Sequence, residues 1–306
     1  MTNNTIAPLR VAIATCRALP GITADDDELV RAFFRRGIDV EGHPWDAHVD
    51  WSRFDAVMPR STWDYHRRLP EFEGWLATVD RGGASLINPL SVLRWNLSKR
   101  YLSALESRGI AVVSTVFVES SAPTARSLAS ISEAVGWTDG IVIKPVVSAS
   151  ATDTWSCQGI TSADEQRFRD ALQHAARGVM VQPFLPEIVR HGEWSLVFLA
   201  GQFSHAVVKR PADGDFRVQE EHGGTAQPTA PSAVLVDDAA RVLQAAALCA
   251  GVGHADILYA RIDGVERDGR LLLMEFEAIE PTLYLATSPT AAESLADAIE
   301  VQQRRR

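Results

Sequence analysis

The stretch LLLMEFEA, residues 271–278, closes the most apolar run of the chain with two acids, Glu275 and Glu277. Side chains alternate along a strand, so these carboxylates share one face while Met274, Phe276 and Ala278 share the other. Upstream, HADILYARID (residues 254–263) reads as a partner strand joined through the turn-like GVERDG, with Arg261 and Asp263 on one face. Three carboxylates held together resist ionisation unless a cation neutralises them. A hard divalent ion resolves the conflict. An all-oxygen set suits magnesium, which keeps several waters and shares itself with substrate phosphates. The competing reading is a solvated strand face whose acids pair with nearby arginines.

Two lysines weigh against that alternative. Lys99 stands at a helix start, and Lys144 lies inside the apolar run IVIKP. A lysine in a buried strand needs an anion to offset its desolvation, and a phosphate suits such a point charge.

The chain has 306 residues, 46% of them hydrophobic and 23% charged, enough for two or three domains. Its net charge of −9 argues against nucleic acid or an anionic membrane as the main partner, leaving a small molecule. No segment has the apolar length of a membrane span and no basic-then-apolar leader opens the sequence, so a cytoplasmic location is expected. Cys16, Cys157 and Cys249 lack the paired spacing of a zinc or redox site; Cys16 and Cys249 read as core, Cys157 as a loop residue. The histidines form no HExxH pattern, and His43 and His48 fall in a loop-like stretch.

LRVAIAT (9–15), FDAVMPR (54–60) and ASLIN (84–88) read as strands, with helices over 25–37 and 69–83, so a small, mostly parallel α/β domain is expected first. RSTWDYHRR (60–68) follows one of these strands, where open α/β sheets place ligands; the alternative is a surface loop packed by Trp63 and Tyr65. Strands at 110–118, 140–147 and 179–185 then alternate with helices at 96–109, 123–136 and 163–178. From Glu193 a hairpin (193–210), a polar loop and a helix over 234–249 lead to the final strand pair. An amphipathic helix closes the chain before Arg304, Arg305 and Arg306, read as a solvated helix end.

The order Lys99, Lys144, a small-residue loop, the strand ending QPFLPE, Glu193, Lys209, Arg217, Arg261, Asp263, Glu275 and Glu277 resembles the ATP-grasp superfamily. RSTWDY, KP, QPFLPEI, YARID and MEFEAIEP look most like its glutathione-synthetase-like ligases, in the group that includes D-cycloserine synthetase. The resemblance implies an α/β fold, α+β in its last lobe. A Rossmann-like pre-ATP-grasp domain would span residues 1–90, a central lobe 91–185, and a C-terminal lobe with the metal site 186–306.

It also implies ATP and two magnesium ions. Lys99 and Lys144 would hold the α- and β-phosphates, with Ser148 and Ser150 of the lid loop beside them. Gln182, Phe184 and Leu185 would form the adenine hinge, and Glu193 would bind ribose. Lys209 and Arg217 would face the terminal phosphate, Arg261 the transferring group, and Asp263, Glu275 and Glu277 the metal. For an amino-acid-like substrate, Arg60 would take a carboxylate and Asp64 an amine, flanked by Thr62 and Trp63.

Two departures from relatives stand out. The lid loop SASATDTW (148–155) has no glycine, which restricts backbone approach to phosphates, and Glu277 stands where relatives commonly carry Asn. The implied reaction is carboxylate–amine ligation or intramolecular cyclisation through an acylphosphate, such as D-cycloserine formation from O-ureido-D-serine in antibiotic biosynthesis. Metals and cations supply what phosphoryl transfer needs, and loops 148–158 and 211–226 would exclude water. A homodimer is common among relatives. The alternatives are a kinase with a stable phosphorylated product and a nucleotide-binding module without turnover. A dehydrogenase is disfavoured, because CRALPG follows the first strand and no GxGxxG is present.

Overall fold

Strand β1 (Arg10–Thr15) is apolar on both faces and buried from Val11 onward, the property of a central strand in a parallel sheet. The computed structural model describes residues 7–119, 127–175 and 177–305; the first six residues, the helix start expected from Pro123 and the tail residue Arg306 lie outside the described residues. With β2 (Asp39–Pro44), β3 (Ala56–Pro59) and β4 (Ser85–Leu86), β1 forms a sheet of order β2-β1-β3-β4, parallel throughout. β2 went unread because DVEGHP has no apolar alternation; backbone pairing with β1 makes it a strand and puts His43 on it. Helix α1 (Asp27–Arg35) has acids in its first turn and Arg35 in its last, matching the helix dipole. It covers one face of the sheet through Leu29 and Phe33, and α2 (Leu69–Arg81) covers the other through Phe72 and Leu76.

The single helix expected over 96–109 is two, α3 (Leu90–Asn96) and α4 (Tyr101–Glu106). Lys99 sits in the break, its N–H bonded to the carbonyl of Val146 at 2.9 Å.

A second sheet joins β5 (Val116–Val118), β6 (Ile141–Pro145), β7 (Trp155–Cys157) and β8 (Val179–Pro183) in the order β5-β8-β6-β7, antiparallel throughout. Helices α5 (Leu128–Val135) and α6 (Ser162–His174) pack on it, the latter started by a Thr161–Asp164 capping box. Cys157, expected in a loop, lies on β7, where burial pushes its thiol up to about 11. Cys249 is half-buried and accepts a bond from Arg108 Nε at 3.0 Å.

After the short α7 (Pro186–His191), a third sheet is built from β9 (Glu193–Leu199), β10 (Gln202–Arg210), β11 (Thr225–Pro228), β12 (Tyr259–Arg267) and β13 (Arg270–Glu277). Its order is β11-β10-β9-β12-β13, again antiparallel. The turn before β13 is shorter than GVERDG suggests. β12 continues to Arg267 past a bulge between Asp263 and Gly264, where a side chain on Gly264 would meet the Leu272 carbonyl oxygen at 2.4 Å. Helix α8 (Ala233–Ala250) buries one face of this sheet. The closing helix α9 (Ala291–Arg304), expected with the C-terminal lobe, crosses to α1 and the first sheet through Leu295, Ala296 and Ile299. Among the described residues no helix is long and apolar enough to cross a membrane.

One buried asparagine joins the first sheet to the third. Asn88 Nδ2 donates to the carbonyls of Tyr259 (2.8 Å) and Ala278 (2.9 Å), and its Oδ1 accepts from the Leu258 N–H at 2.6 Å. Asn88→Ala should cost about 3–5 kcal/mol, because several buried backbone groups lose their partner together. A chemical-denaturation midpoint equal to wild type would contradict this.

Candidate active site

Strand register decides which charges meet. Across β12 and β13 Arg261 faces Glu277 and Asp263 faces Glu275; across β12 and β9 Asp263 faces Ser195; across β9 and β10 Glu193 faces Lys209. All but the buried Ser195 line one cleft of about 490 Å³ between the second and third sheets. Asp263, 2% exposed, is its hub. Its carboxylate accepts from Ser195 Oγ (2.6 Å), Lys209 Nζ (3.1 Å) and Arg261 Nη2 (2.8 Å). Lys209 also pairs with Glu193 at 2.6 Å, and Arg261 reaches both Glu277 and the Thr282 carbonyl.

From the opposite wall, Lys99 Nζ donates to the Ser148 carbonyl at 2.9 Å and pairs with Glu275 at 2.8 Å. Lys144, on β6, lines the cleft, yet among the described residues its ammonium has no hydrogen bond or ion pair. β13 is an edge strand whose free side is held by side chains the sequence reading missed. Asn96 bonds the Phe276 carbonyl (2.7 Å) and the Ala278 N–H (2.8 Å), and Tyr101 Oη accepts from the Phe276 N–H (3.1 Å). These bonds fix the two glutamates' strand.

The carboxylates respond differently to one another. For Asp263, burial favours the neutral form but Arg261 and Lys209 more than reverse it, holding its pKa well below the usual range. For Glu275, Lys99 and Lys144 likewise outweigh burial and lower the pKa. Glu277 goes the other way: burial, with Asp263 and Glu275 adjacent, overcomes Arg261 and pushes it up to about 8. Glu193 is also raised, by burial, despite Lys209. Burial lowers the pKa of Lys144, opposed by Glu275 and reinforced by Lys99. The cleft thus holds one carboxylate short of positive charge and one lysine short of negative charge.

At the other end of the cleft, Gln182 Nε2 donates to Thr115 Oγ1 at 2.9 Å. The Phe184 N–H is taken by the Gly140 carbonyl at 2.9 Å, leaving the Phe184 carbonyl for a ligand, and Leu185 adds apolar wall. Arg217 lines the mouth and pairs with Asp215 at 2.8 Å. The lid loop reaches left-handed backbone without glycine: Ser150, Ala151 and Asp153 have φ of 51°, 50° and 55°, a conformation costing about 1 kcal/mol or more per residue.

The substrate cluster expected around Arg60 is corrected. Arg60 is 2% exposed and does not line the cleft; its guanidinium donates to Asp26 Oδ1 (2.8 Å), Asp25 Oδ2 (2.9 Å) and the Pro281 carbonyl (2.7 Å), so its charge is already neutralised within the protein. Asp64 accepts from Trp45 Nε1 at 2.8 Å and pairs with Arg68, and Thr62 is wholly buried; neither lines the cleft. Trp63 does line it. Beside Trp63 stand Tyr65 and Glu280, also missed. MEFEAIEP displays Glu280, but at a spacing that breaks the strand alternation of Glu275 and Glu277.

Asp263 is a harder fit to a metal than the sequence suggests, because Arg261, Lys209 and Ser195 hold both its oxygens. Among the described residues no three carboxylate or imidazole groups converge as a cage of protein ligands. Glu275 and Glu277, on one face and facing open cleft, do fit an ion that takes its remaining ligands from phosphates and water.

Two stability measurements test this charge map. Lys144→Met should stabilise the ligand-free protein by about 1 kcal/mol or more, since a desolvated cation without counter-ion is removed. Folded Lys144 releases its proton at lower pH than the unfolded chain, so wild-type stability rises, and the gain shrinks, as pH climbs towards 10.5, the ordinary lysine value. Thermal unfolding of both proteins at two pH values reads this, and a variant less stable at neutral pH would show that Lys144 is paired. Arg60→Met should destabilise by about 3–5 kcal/mol, because it leaves buried aspartates uncompensated; unchanged stability would restore Arg60 as a free substrate ligand.

Comparison with known proteins places this geometry. Residues 11–88 match the family model of the N-terminal domain of D-cycloserine synthetase DcsG. The chain is 32% identical over 312 residues to the cycloserine biosynthesis protein DcsG of Streptomyces lavendulae, covering 94% of this chain and 97% of that protein. The crystal structure of D-cycloserine synthetase DcsG superposes with a TM-score of 0.85 at 28% identity, over 96% of this chain and 99% of that one. D-alanine–D-alanine ligase from Bacillus anthracis, in complex with ATP, shares the fold at a TM-score of 0.65 and 12% identity, over 97% and 98% of the two chains. With sequence and fold shared along almost the whole of both chains, this protein belongs to the D-cycloserine synthetase DcsG family of ATP-grasp ligases.

Proposed function

We propose that this ATP-dependent ligase phosphorylates the carboxylate of a small amino-acid-like substrate and lets a nitrogen atom capture the acylphosphate, with O-ureido-D-serine closing to the D-cycloserine ring as the specific reaction. The observation that carries the reading is the charge imbalance across the cleft: the Lys144 ammonium has no ion-pair partner among the described residues, and Glu277 shares its one partner, Arg261, with Asp263. A nucleotide phosphate accompanied by magnesium satisfies both at once.

Lys144 and Lys99 would then draw in the α- and β-phosphates, with Ser148 and Ser150 of the strained loop above them. The Phe184 carbonyl and Leu185 would bind adenine near Gln182, and Glu193 the ribose. Lys209 and Arg261 would turn towards the γ-phosphate, joined by Arg217 from the mouth. Their departure would free Asp263 to join Glu275 and Glu277 around two magnesium ions. These carboxylates would hold magnesium, which would supply charge neutralisation during phosphoryl transfer. Residues 91–185 and 186–306 would be the lobes that grip ATP, with residues 1–90 supplying Trp63 to the substrate end.

In the first step a substrate carboxylate oxygen attacks the γ-phosphorus and ADP leaves; in the second, nitrogen attacks the acyl carbon and inorganic phosphate leaves, and for O-ureido-D-serine the carbamoyl group on that nitrogen would also have to pass to water, leaving as carbon dioxide and ammonia. No protein nucleophile is needed, because positioning and charge stabilisation carry phosphoryl transfer. In the ligand-free cleft the buried Arg261 guanidinium is held by Asp263 and the Thr282 carbonyl, and it would turn from Asp263 when ATP binds.

Glu275→Ala should lower magnesium-dependent ADP release by at least about 100-fold while the protein still unfolds cooperatively; a variant with wild-type phosphate release would remove the metal assignment. Hydroxylamine added during turnover should yield the hydroxamate of the substrate. A phosphorylated product stable to hydroxylamine would indicate a kinase instead.

A further inference from the structure

Among the carboxylates in the cleft floor, Glu280 has no place in the phosphate machinery. It lies three residues beyond Glu277, after β13 has ended, and lines the cleft with Trp63 and Tyr65. Glu193, Asp263, Glu275 and Glu277 each pair with a lysine or arginine. Among the described residues Glu280 pairs with neither; the Tyr65 hydroxyl stands near enough to its side chain to favour the anion. Burial raises it to about 7, against the pull of Lys99.

The backbone that carries Glu280 is fixed at almost every residue. Trp63 Nε1 donates to the Glu280 carbonyl at 3.1 Å and Arg60 to the Pro281 carbonyl at 2.7 Å. Arg261 holds the Thr282 carbonyl at 3.0 Å, and Asp25 accepts from the N–H groups of Leu283 (2.8 Å) and Tyr284 (2.9 Å). The buried Arg60–Asp25–Asp26 cluster therefore positions this loop. A carboxylate placed so firmly in a cleft, without a counter-ion of its own, is suited to a cation that arrives with a ligand.

The cation is not well explained as another metal, since Glu280 is off the strand face of Glu275 and Glu277 and converges with no two other acids. An organic ammonium fits better: one carboxylate takes its hydrogen bonds, and aromatic neighbours favour its positive charge. We propose that Glu280, aimed by Trp63 and Tyr65, receives the α-ammonium of the substrate and makes the enzyme select acids that carry one. This rests on the ligase reading above, and the test separates the two.

Acids are assayed in pairs that differ only in the ammonium group: O-ureido-D-serine with 3-(ureidooxy)propanoate, and D-serine with 3-hydroxypropanoate. ADP release gives kcat/KM, and the thermal shift of each acid in saturating ADP and magnesium gives binding without turnover. Wild type should prefer the ammonium member by roughly 100-fold or more, the discrimination expected when a polar site is left unfilled. Glu280→Gln should reduce that preference to less than about 10-fold through a higher KM for the acid, leaving the KM for ATP and the magnesium midpoint unchanged. Glu280→Asp should restore part of it.

Equal use of both members by wild type overturns the proposal, as does a Glu280→Gln enzyme that keeps the full preference or shifts its magnesium midpoint instead. If Glu280→Gln does not fold, the wild-type pairs and Glu280→Asp still decide. If wild type releases ADP with no acid, the ligase reading fails, while the thermal shifts still report whether the ammonium member binds better.

Discussion

The cleft is organised around one buried carboxylate, Asp263, which is stable as an anion because Arg261, Lys209 and Ser195 surround it. Burying an ion costs more than most single contacts return, so every partner of Asp263 must be in place together. Three adjacent strands supply them through backbone register. The bulge beside Gly264 resets the pairing where Asp263 meets Glu275. Position along the strands and the chemistry of the cleft are thus one constraint: a slip of one residue would turn the whole set to the opposite face.

The charges left over are as informative as those that are paired. Lys144 and Glu277 are each short of an opposite charge, and Glu280 has a hydroxyl where its neighbours have a cation. A ligand-free cleft that kept them all satisfied would have to lose those contacts before binding anything. Leaving them open lowers the stability of the free protein and favours the complex. The strained backbone of the lid loop at Ser150, Ala151 and Asp153 belongs to the same pattern, since sparsely populated conformations concentrate where ligands are bound.

A second buried network, Arg60 with Asp25 and Asp26, contributes at a distance from the phosphates. It ties the loop after β1, the loop after β3 and residues 281–284 into one unit. Asn88 and Tyr259 do similar work alongside, the Tyr259 hydroxyl lying 2.7 Å from the Pro59 carbonyl and 2.8 Å from that of Ile279. Through these contacts the parallel sheet, which carries none of the phosphate-facing lysines, fixes the end of the cleft where Trp63, Tyr65 and Glu280 stand.

Much of this was legible in the sequence. Alternation along LLLMEFEA and YARID put Arg261, Asp263, Glu275 and Glu277 on common faces, and an isolated lysine in the apolar run IVIKP marked Lys144, with Lys99 at a helix start read beside it, because strand period and the cost of burying charge are local properties. What the sequence could not display was the choice of partner. RSTWDY looks the same whether Arg60 meets a ligand or two aspartates from another loop, and DVEGHP has no pattern that announces a strand. Edge bonds from Asn96 and Tyr101 to β13, and the aim of Glu280, likewise join residues up to 217 positions apart, as Trp63 and Glu280 are. Residue type and spacing determine which groups must be neutralised; only the tertiary fold, by bringing distant segments within hydrogen-bond range, decides which of them neutralise each other and which are left for the substrate.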